Sequence, residues 1–175
     1  MNVKMEPILE TERLYFRQFT LADAKMLYEM HQDPAITKYT GDPIPWDSMD
    51  IAEMVLRDII LPQYKNNIGR WATHLKSDNT FIGWCGLKDV GVEIDLGYRF
   101  IQKYWGNGYA TEAAKAVLQY GMNNNIKHIV GCASIKNKVS VKVLEKIGLT
   151  FLEFYTEQEP VKEDCVKFIC KASFE

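Results

Sequence analysis

The sequence predicts a mixed α/β (α+β) fold built around one mostly antiparallel sheet. Three observations carry this reading. Residues 70–100 alternate apolar and polar side chains through two turn signals, the pattern of antiparallel strands that each bury one face. From Tyr109 the period becomes helical, and a short apolar run at His128–Ser134 follows, so a strand-helix-strand crossover closes the antiparallel series. The chain has 175 residues, 47% hydrophobic and 12% aromatic, enough for one core; a chain of this size buries roughly 70% of its unfolded surface. We expect a single domain over residues 1–175, with no repeat, low-complexity segment or linker.

Each element has its own local reason. Leu14–Phe19 reads as a first strand, and Thr20-Leu-Ala-Asp23 opens a helix with a Thr cap and an acid at the third helical position. Asp33-Pro34 closes that helix. After the turn-rich stretch Gly41–Pro45, the apolar residues Ile51, Ala52, Val55, Leu56, Ile59 and Ile60 recur at helical spacing until Pro62. Trp71, Thr73 and Leu75 alternate with Arg70, Ala72 and His74, and Asp78-Asn79 turns the chain into the strand Phe81–Leu87. In the next strand Ile94, Leu96, Tyr98 and Phe100 take one face and Glu93, Asp95, Gly97 and Arg99 the other. Ala110, Ala113, Ala114, Val117, Leu118 and Gly121 make a helical stripe that ends in the Asn123–Asn125 turn. A short helix through Ser140, Val143, Leu144 and Ile147 stops at Gly148, and strands near Phe151–Tyr155 and Cys165–Cys170 complete about seven strands and four helices.

Composition excludes several classes. With 21 Lys+Arg against 23 Asp+Glu the formal charge is −2, which lacks the basic excess of a nucleic-acid binder and the low hydrophobicity of a disordered chain. Met1–Glu10 has no apolar core, and runs such as Ile59–Pro62 fall far short of the ~18 residues of a membrane span. We therefore expect a cytoplasmic chain with no membrane or nucleic-acid partner. Cys85, Cys132, Cys165 and Cys170 contain no C-x-x-C pair and lie in apolar stretches, which suits reduced core thiols. A Cys85–His74 nucleophile and base is the reactive alternative. His31, His74 and His128 show no metal-ligand spacing, so no metal is expected.

The most informative stretch is Gln102–Glu112, where Gly106 and Gly108 join a strand to a helix. Glycines let backbone approach a ligand, and the unpaired N–H groups of a helix start favour a phosphate. A plain glycine-rich turn is the alternative. A dinucleotide fingerprint would need a third glycine at Thr111, and the Gly-Lys-Ser/Thr of a P-loop is absent.

Lys103-Tyr-Trp-Gly106-Asn-Gly108-Tyr-Ala110 resembles the Gln/Arg-x-x-Gly-x-Gly/Ala coenzyme A motif of the GNAT N-acetyltransferases. Asp95-Leu-Gly97-Tyr98 resembles the Glu-Ile-Gly-Tyr strand of the ribosomal-protein N-acetyltransferase (RimJ/RimL-like) branch. Asn137-Lys-Val-Ser140, leading to Lys146-Ile-Gly148-Leu149, resembles that branch's Asn-x-x-Ser helix, and Leu9-Glu-Thr-Glu-Arg13-Leu14 its opening. The likeness runs from residue 9 to about 170. Lys103 stands where the family has Gln or Arg, and Asp95 where it has Glu.

The resemblance implies a GNAT-like sheet whose central strands splay to admit acetyl-CoA, with no metal. It implies coenzyme contacts from Phe100, Ile101, Gln102, Lys103, Trp105, Gly106, Asn107, Gly108, Tyr109, Ala110, Thr111, Asn137, Ser140 and Lys142, and an oxyanion donor in one N–H near Ile101. Asp95, or Glu93 on the same strand face, is implied as base through water, a solvated carboxylate pair being the alternative. Ser140 is implied to protonate the departing thiolate, or else to cap its helix, and Asn137 to hold pantetheine or a water. Tyr98 and Tyr155 are further candidates to reach the thiol. Tyr39 and Trp46 are candidates for the acceptor pocket, and Asp42, Asp47, Asp50 and Glu53 would suit a cationic acceptor, as would a solvated face. The expected activity is transfer of an acetyl group to a protein N-terminal or small-molecule amine in a ternary complex, by a monomer or homodimer. A coenzyme A-binding sensor without turnover is the alternative, motivated by Lys103 and Asp95. Charge fits this division: Arg99–Lys146 carries eight basic residues against two acids, and the remainder 13 against 21.

Overall fold

The computed structural model describes residues 6–40, 45–158 and 162–171, so Gly41–Ile44, including Asp42, lie outside the described residues. Among the described residues eight strands form one sheet: β1 (Leu9–Glu10), β2 (Leu14–Arg17), β3 (Arg70–Leu75), β4 (Phe81–Asp89), β5 (Ile94–Phe100), β6 (Ile129–Ser134), β7 (Thr150–Glu157) and β8 (Glu163–Ile169). Their order is β1-β2-β3-β4-β5-β6-β8-β7, and β5–β6 is the parallel pair. The count exceeds the expected seven by β1, whose two residues pair with Tyr15 and Phe16 and are too few to show a period.

Helices cover both faces. On one, α4 (Tyr109–Asn123) and α5 (Lys138–Lys146) bury a cluster that includes Phe16, Trp71, Leu87, Leu96, Val117 and Leu144. Ala113, Ala114 and Gly121 keep α4 close to the sheet, since a Cβ at Gly121 would lie 2.6 Å from Ile129. On the other face α1 (Ala24–His31), α2 (Pro34–Thr37) and α3 (Met49–Val55) cover Ala72 with Phe19, Leu27, Met30, Ala52 and Leu56. Among the described residues no helix is long and apolar enough to cross a membrane.

Two helix ends differ from expectation. Asp33-Pro34 closes α1 but also opens α2, because the Asp33 carboxylate accepts from the Ala35 N–H at 2.9 Å and Pro34 takes a first-turn position that needs no donor. Pro62 does not stop the second helical segment. After α3 the chain passes through a π-helical turn, Leu56–Ile60, into a 3₁₀ turn, Leu61–Asn66, at whose start Pro62 is tolerated for the same reason.

The feature that positions the site is the short contact between β5 and β6. They pair only at Ile94↔Ile129 and Asp95↔Val130. Beyond that point β5 stays with β4 as far as Phe100, while β6 stays with β8 as far as Ser134. The central strands therefore splay.

Candidate active site

One wall of the opening is the free edge of β5. The Ile94 N–H bonds the His128 carbonyl on the β6 side at 3.0 Å, and the Ile101 N–H bonds the Ile82 carbonyl on the β4 side at 2.9 Å. Strand alternation then turns the backbone groups of Tyr98 and Phe100 into the opening. The amide of Ile101 itself is taken, and the N–H beside it that faces the gap belongs to Phe100. The Phe100 side chain is core, and its carbonyl accepts from Trp105 Nε1 at 2.7 Å.

The opposite wall is the start of α5. Asn137 is its N-cap, accepting from the Ser140 N–H at 3.1 Å, so Ser140 sits inside the first turn and the reading of Ser140 as the cap is corrected. Its Oγ lies 2.8 Å from the Tyr98 hydroxyl, which also reaches the Ser140 carbonyl at 3.2 Å. Burial pushes the Tyr98 hydroxyl well above its ordinary pKa, so it stays protonated. Lys142 is exposed further along the helix.

The floor is the glycine turn. Gln102–Tyr104 form a 3₁₀ turn with Lys103 exposed and its ammonium over the Tyr104 ring. Trp105 and Asn107 brace the turn from within, Asn107 Nδ2 donating to the Tyr104 and Trp105 carbonyls. Gly106 and Gly108 have φ of +78° and +79°, where a side chain would be strained. Among the described residues the amides of Gly106–Thr111 have no acceptor, and Glu112 N–H makes the first helical bond, to Gly108. The turn is thus a row of donors at the positive end of a 15-residue helix.

The carboxylates do not form the solvated pair given as the alternative to a base. Asp95 is bound by the Arg70 guanidinium, which crosses the sheet over Gly86 and Gly97 and also donates to the Asp95 and Gly86 carbonyls. A Cβ at Gly97 would lie 2.8 Å from that guanidinium. Glu93 is held by Lys167 at 3.0 Å, and this bond is the main cause that raises the lysine pKa. Both acids thus face a cation. Trp84 carries Arg70 on one side and Arg99 near its ring, and Arg99 continues to His31 Nε2.

His31 stacks on Trp46 with ring centroids 3.7 Å apart. Both border a cavity of about 520 Å³ that Tyr39 also lines, with Cys132, Ser134 and Tyr155 on the opposing strands. The two aromatic acceptor candidates therefore do meet at one cavity. Burial raises Cys132 to about 11, so its thiol stays protonated. Sequence reasoning missed Arg70, Arg99 and Arg13, whose partners Asp95, His31 and Glu112 lie far away in the chain.

The Cys85–His74 alternative fails on geometry. Cys85 is fully buried in the α4–α5 cluster, with its thiol pushed up to about 12, whereas His74 stacks on Tyr15 and meets Phe81 on the other face. Among the described residues no group of three His, Cys, Asp or Glu side chains could hold a metal ion.

Residues 13–150 match the acetyltransferase (GNAT) domain family. An uncharacterized N-acetyltransferase of Bacillus licheniformis is 30% identical over 146 residues, 80% of each chain. Among solved structures, the ribosomal-protein-S5-alanine acetyltransferase of Vibrio fischeri superposes with a TM-score of 0.77 at 16% identity, over 92% of this chain and 94% of that one. The microcin C7 self-immunity acetyltransferase MccE, in complex with acetyl-CoA and AMP, gives 0.80 at 15% identity, over 97% and 99%.

Proposed function

We infer that this chain, which belongs to the GNAT acetyltransferase family, uses acetyl-CoA to acetylate a primary amine by direct transfer within a ternary complex. The acceptor is a protein N-terminal amine or a small-molecule amine, and residues 1–175 act as one domain. The observation that carries this reading is the opening between β5 and β6, with a row of unpaired amides at its floor and a hydroxyl pair across it. These residues fit the coenzyme: the floor offers donors and no side chain to a pyrophosphate, and the free edge of β5 offers backbone groups to the amides of a pantetheine arm. The motif likeness to the ribosomal-protein branch, together with the fold shared with the Vibrio fischeri enzyme, supports an N-terminal amine as the first acceptor to try.

Acetyl-CoA, when bound, supplies the activated acetyl thioester. The Phe100 N–H stabilises negative charge on the carbonyl oxygen as the new N–C bond forms. Ser140 would pass a proton to the sulfur as the C–S bond breaks and regain one from water as the amine's proton is released, while Tyr98 holds its hydroxyl in place. The acceptor enters neutral. An α-amine, with a reference pKa of ~7.7 to 8, does so far more readily near pH 7 than lysine at ~10.4. Its second proton leaves through water, with Glu93 and Asp95 shaping the field rather than binding the proton directly.

A coenzyme A release assay against peptide N-termini, polyamines and aminoglycosides tests this. We expect turnover with at least one acceptor and a thermal shift with acetyl-CoA but not ATP. Silence across the panel with no acetyl-CoA binding would sink the reading. One observation, the engagement of Asp95 by Arg70, favours a second reading as a coenzyme sensor, which tight binding without turnover would establish.

A further inference from the structure

Glu112 is an acid in the first turn of α4, beside a row of amides suited to an anion. Left alone it would repel a pyrophosphate. Instead three donors occupy it, the Thr11 hydroxyl at 2.6 Å and the Arg13 N–H at 3.0 Å on one oxygen and Arg13 Nε at 2.6 Å on the other, where Arg13 Nη2 also makes an ion-pair contact at 2.6 Å. These contacts hold the Glu112 carboxyl below its ordinary pKa against the opposing effect of burial, so it remains charged and paired.

The same guanidinium does a second thing. Arg13 Nη1 donates to the Asn107 carbonyl at 3.0 Å, between the two left-handed glycines, and the guanidinium lies 4.5 Å from the centroid of the Tyr109 ring. The Asn107 C=O and the Gly108 N–H share one planar peptide and point in opposite directions. Anchoring the oxygen on Arg13 therefore aims the Gly108 N–H away from Arg13. The contacts to Glu112 and to Asn107 are made from separate nitrogens of one rigid fork, which the single nitrogen of an ammonium cannot span.

We propose that Arg13 is a positioning residue for coenzyme binding: clamped to Glu112, it neutralises the acid and sets the Gly108 peptide so that the turn receives a pyrophosphate. This rests on the acetyl-CoA reading above. It also gives the Thr11 and Arg13 of the opening segment, about a hundred residues away in sequence, a role at the coenzyme site.

The test compares dissociation constants of coenzyme A, 3′-dephospho-coenzyme A and pantetheine for the wild type, Arg13→Lys and Glu112→Gln, by calorimetry. Loss of one such hydrogen bond is expected to weaken coenzyme A and its dephospho form alike by about tenfold in Arg13→Lys. Pantetheine, which lacks the pyrophosphate, should bind both variants as it binds the wild type. Glu112→Gln removes the acid and half of the clamp, and should weaken the two pyrophosphate ligands by a smaller factor. Equal weakening of all three ligands, or no change in the ratio, overturns the proposal, because a merely loosened fold would not select the pyrophosphate. Loss confined to coenzyme A, sparing the dephospho form, also overturns it, since Arg13 would then be reading the ribose phosphate. A wild type that binds none of the three overturns the parent reading instead.

Discussion

The two sides of the opening are built by different means. The proposed coenzyme side is mostly backbone: a strand edge, two left-handed glycines and the first turn of α4, all within Tyr98–Thr111. The proposed acceptor side is side chains brought from distant segments, His31 and Trp46 from one layer and Cys132, Ser134 and Tyr155 from the other. A backbone site is set by local conformation, so a short motif specifies it. A side-chain site depends on which surfaces the fold brings together, and small changes in those surfaces alter what it accepts.

Variants that act on one side alone would break or sharpen this contrast. The largest effect is expected from Ser140→Ala, which removes the proposed proton donor: kcat should fall by about 100-fold with little change in KM for acetyl-CoA. A fall in coenzyme affinity of the same size would mean that Ser140 binds rather than donates. Gly108→Val forces a β-branched residue to a φ of +79° and should weaken coenzyme binding roughly 10- to 30-fold, leaving acceptor KM alone. Retained affinity in a thermal-shift titration would show that the turn is not the anion site. Trp46→Ala removes the ring stacked on His31 and should raise acceptor KM about fivefold, with acetyl-CoA KM unchanged. If both constants rise together, the cavity is not a separate acceptor site. The smallest effect on rate is expected from Asp95→Asn, a loss below about threefold with the pH–rate profile unshifted, since the carboxylate is engaged by Arg70. Disappearance of the acidic limb of that profile would restore Asp95 as the base.

Legibility in the sequence followed the same divide. The glycine turn and the alternating faces of β5 were readable because each is a local matter of φ or period. The partners of Asp95 and Glu93 were not, since Arg70 and Lys167 lie 25 and 74 residues away. The same holds for Arg13 on Glu112, 99 residues apart. Trp46 and Tyr39 could be named as loop aromatics, but nothing local placed His31 against Trp46.

By itself, then, the sequence determined the fold class, the position of the turn between β5 and α4, and the family to which the chain belongs. All three depend on periodicity, glycine conformations and short ordered motifs, which a single strand or helix expresses without help from the rest. The tertiary structure alone decided which amide faces the gap, that Asn137 rather than Ser140 caps α5, and that both β5 carboxylates are engaged by cations. Those outcomes turn on sheet register and on where the ends of long side chains meet, and both are set only when β3, β4, β5 and β8 are packed side by side with β6.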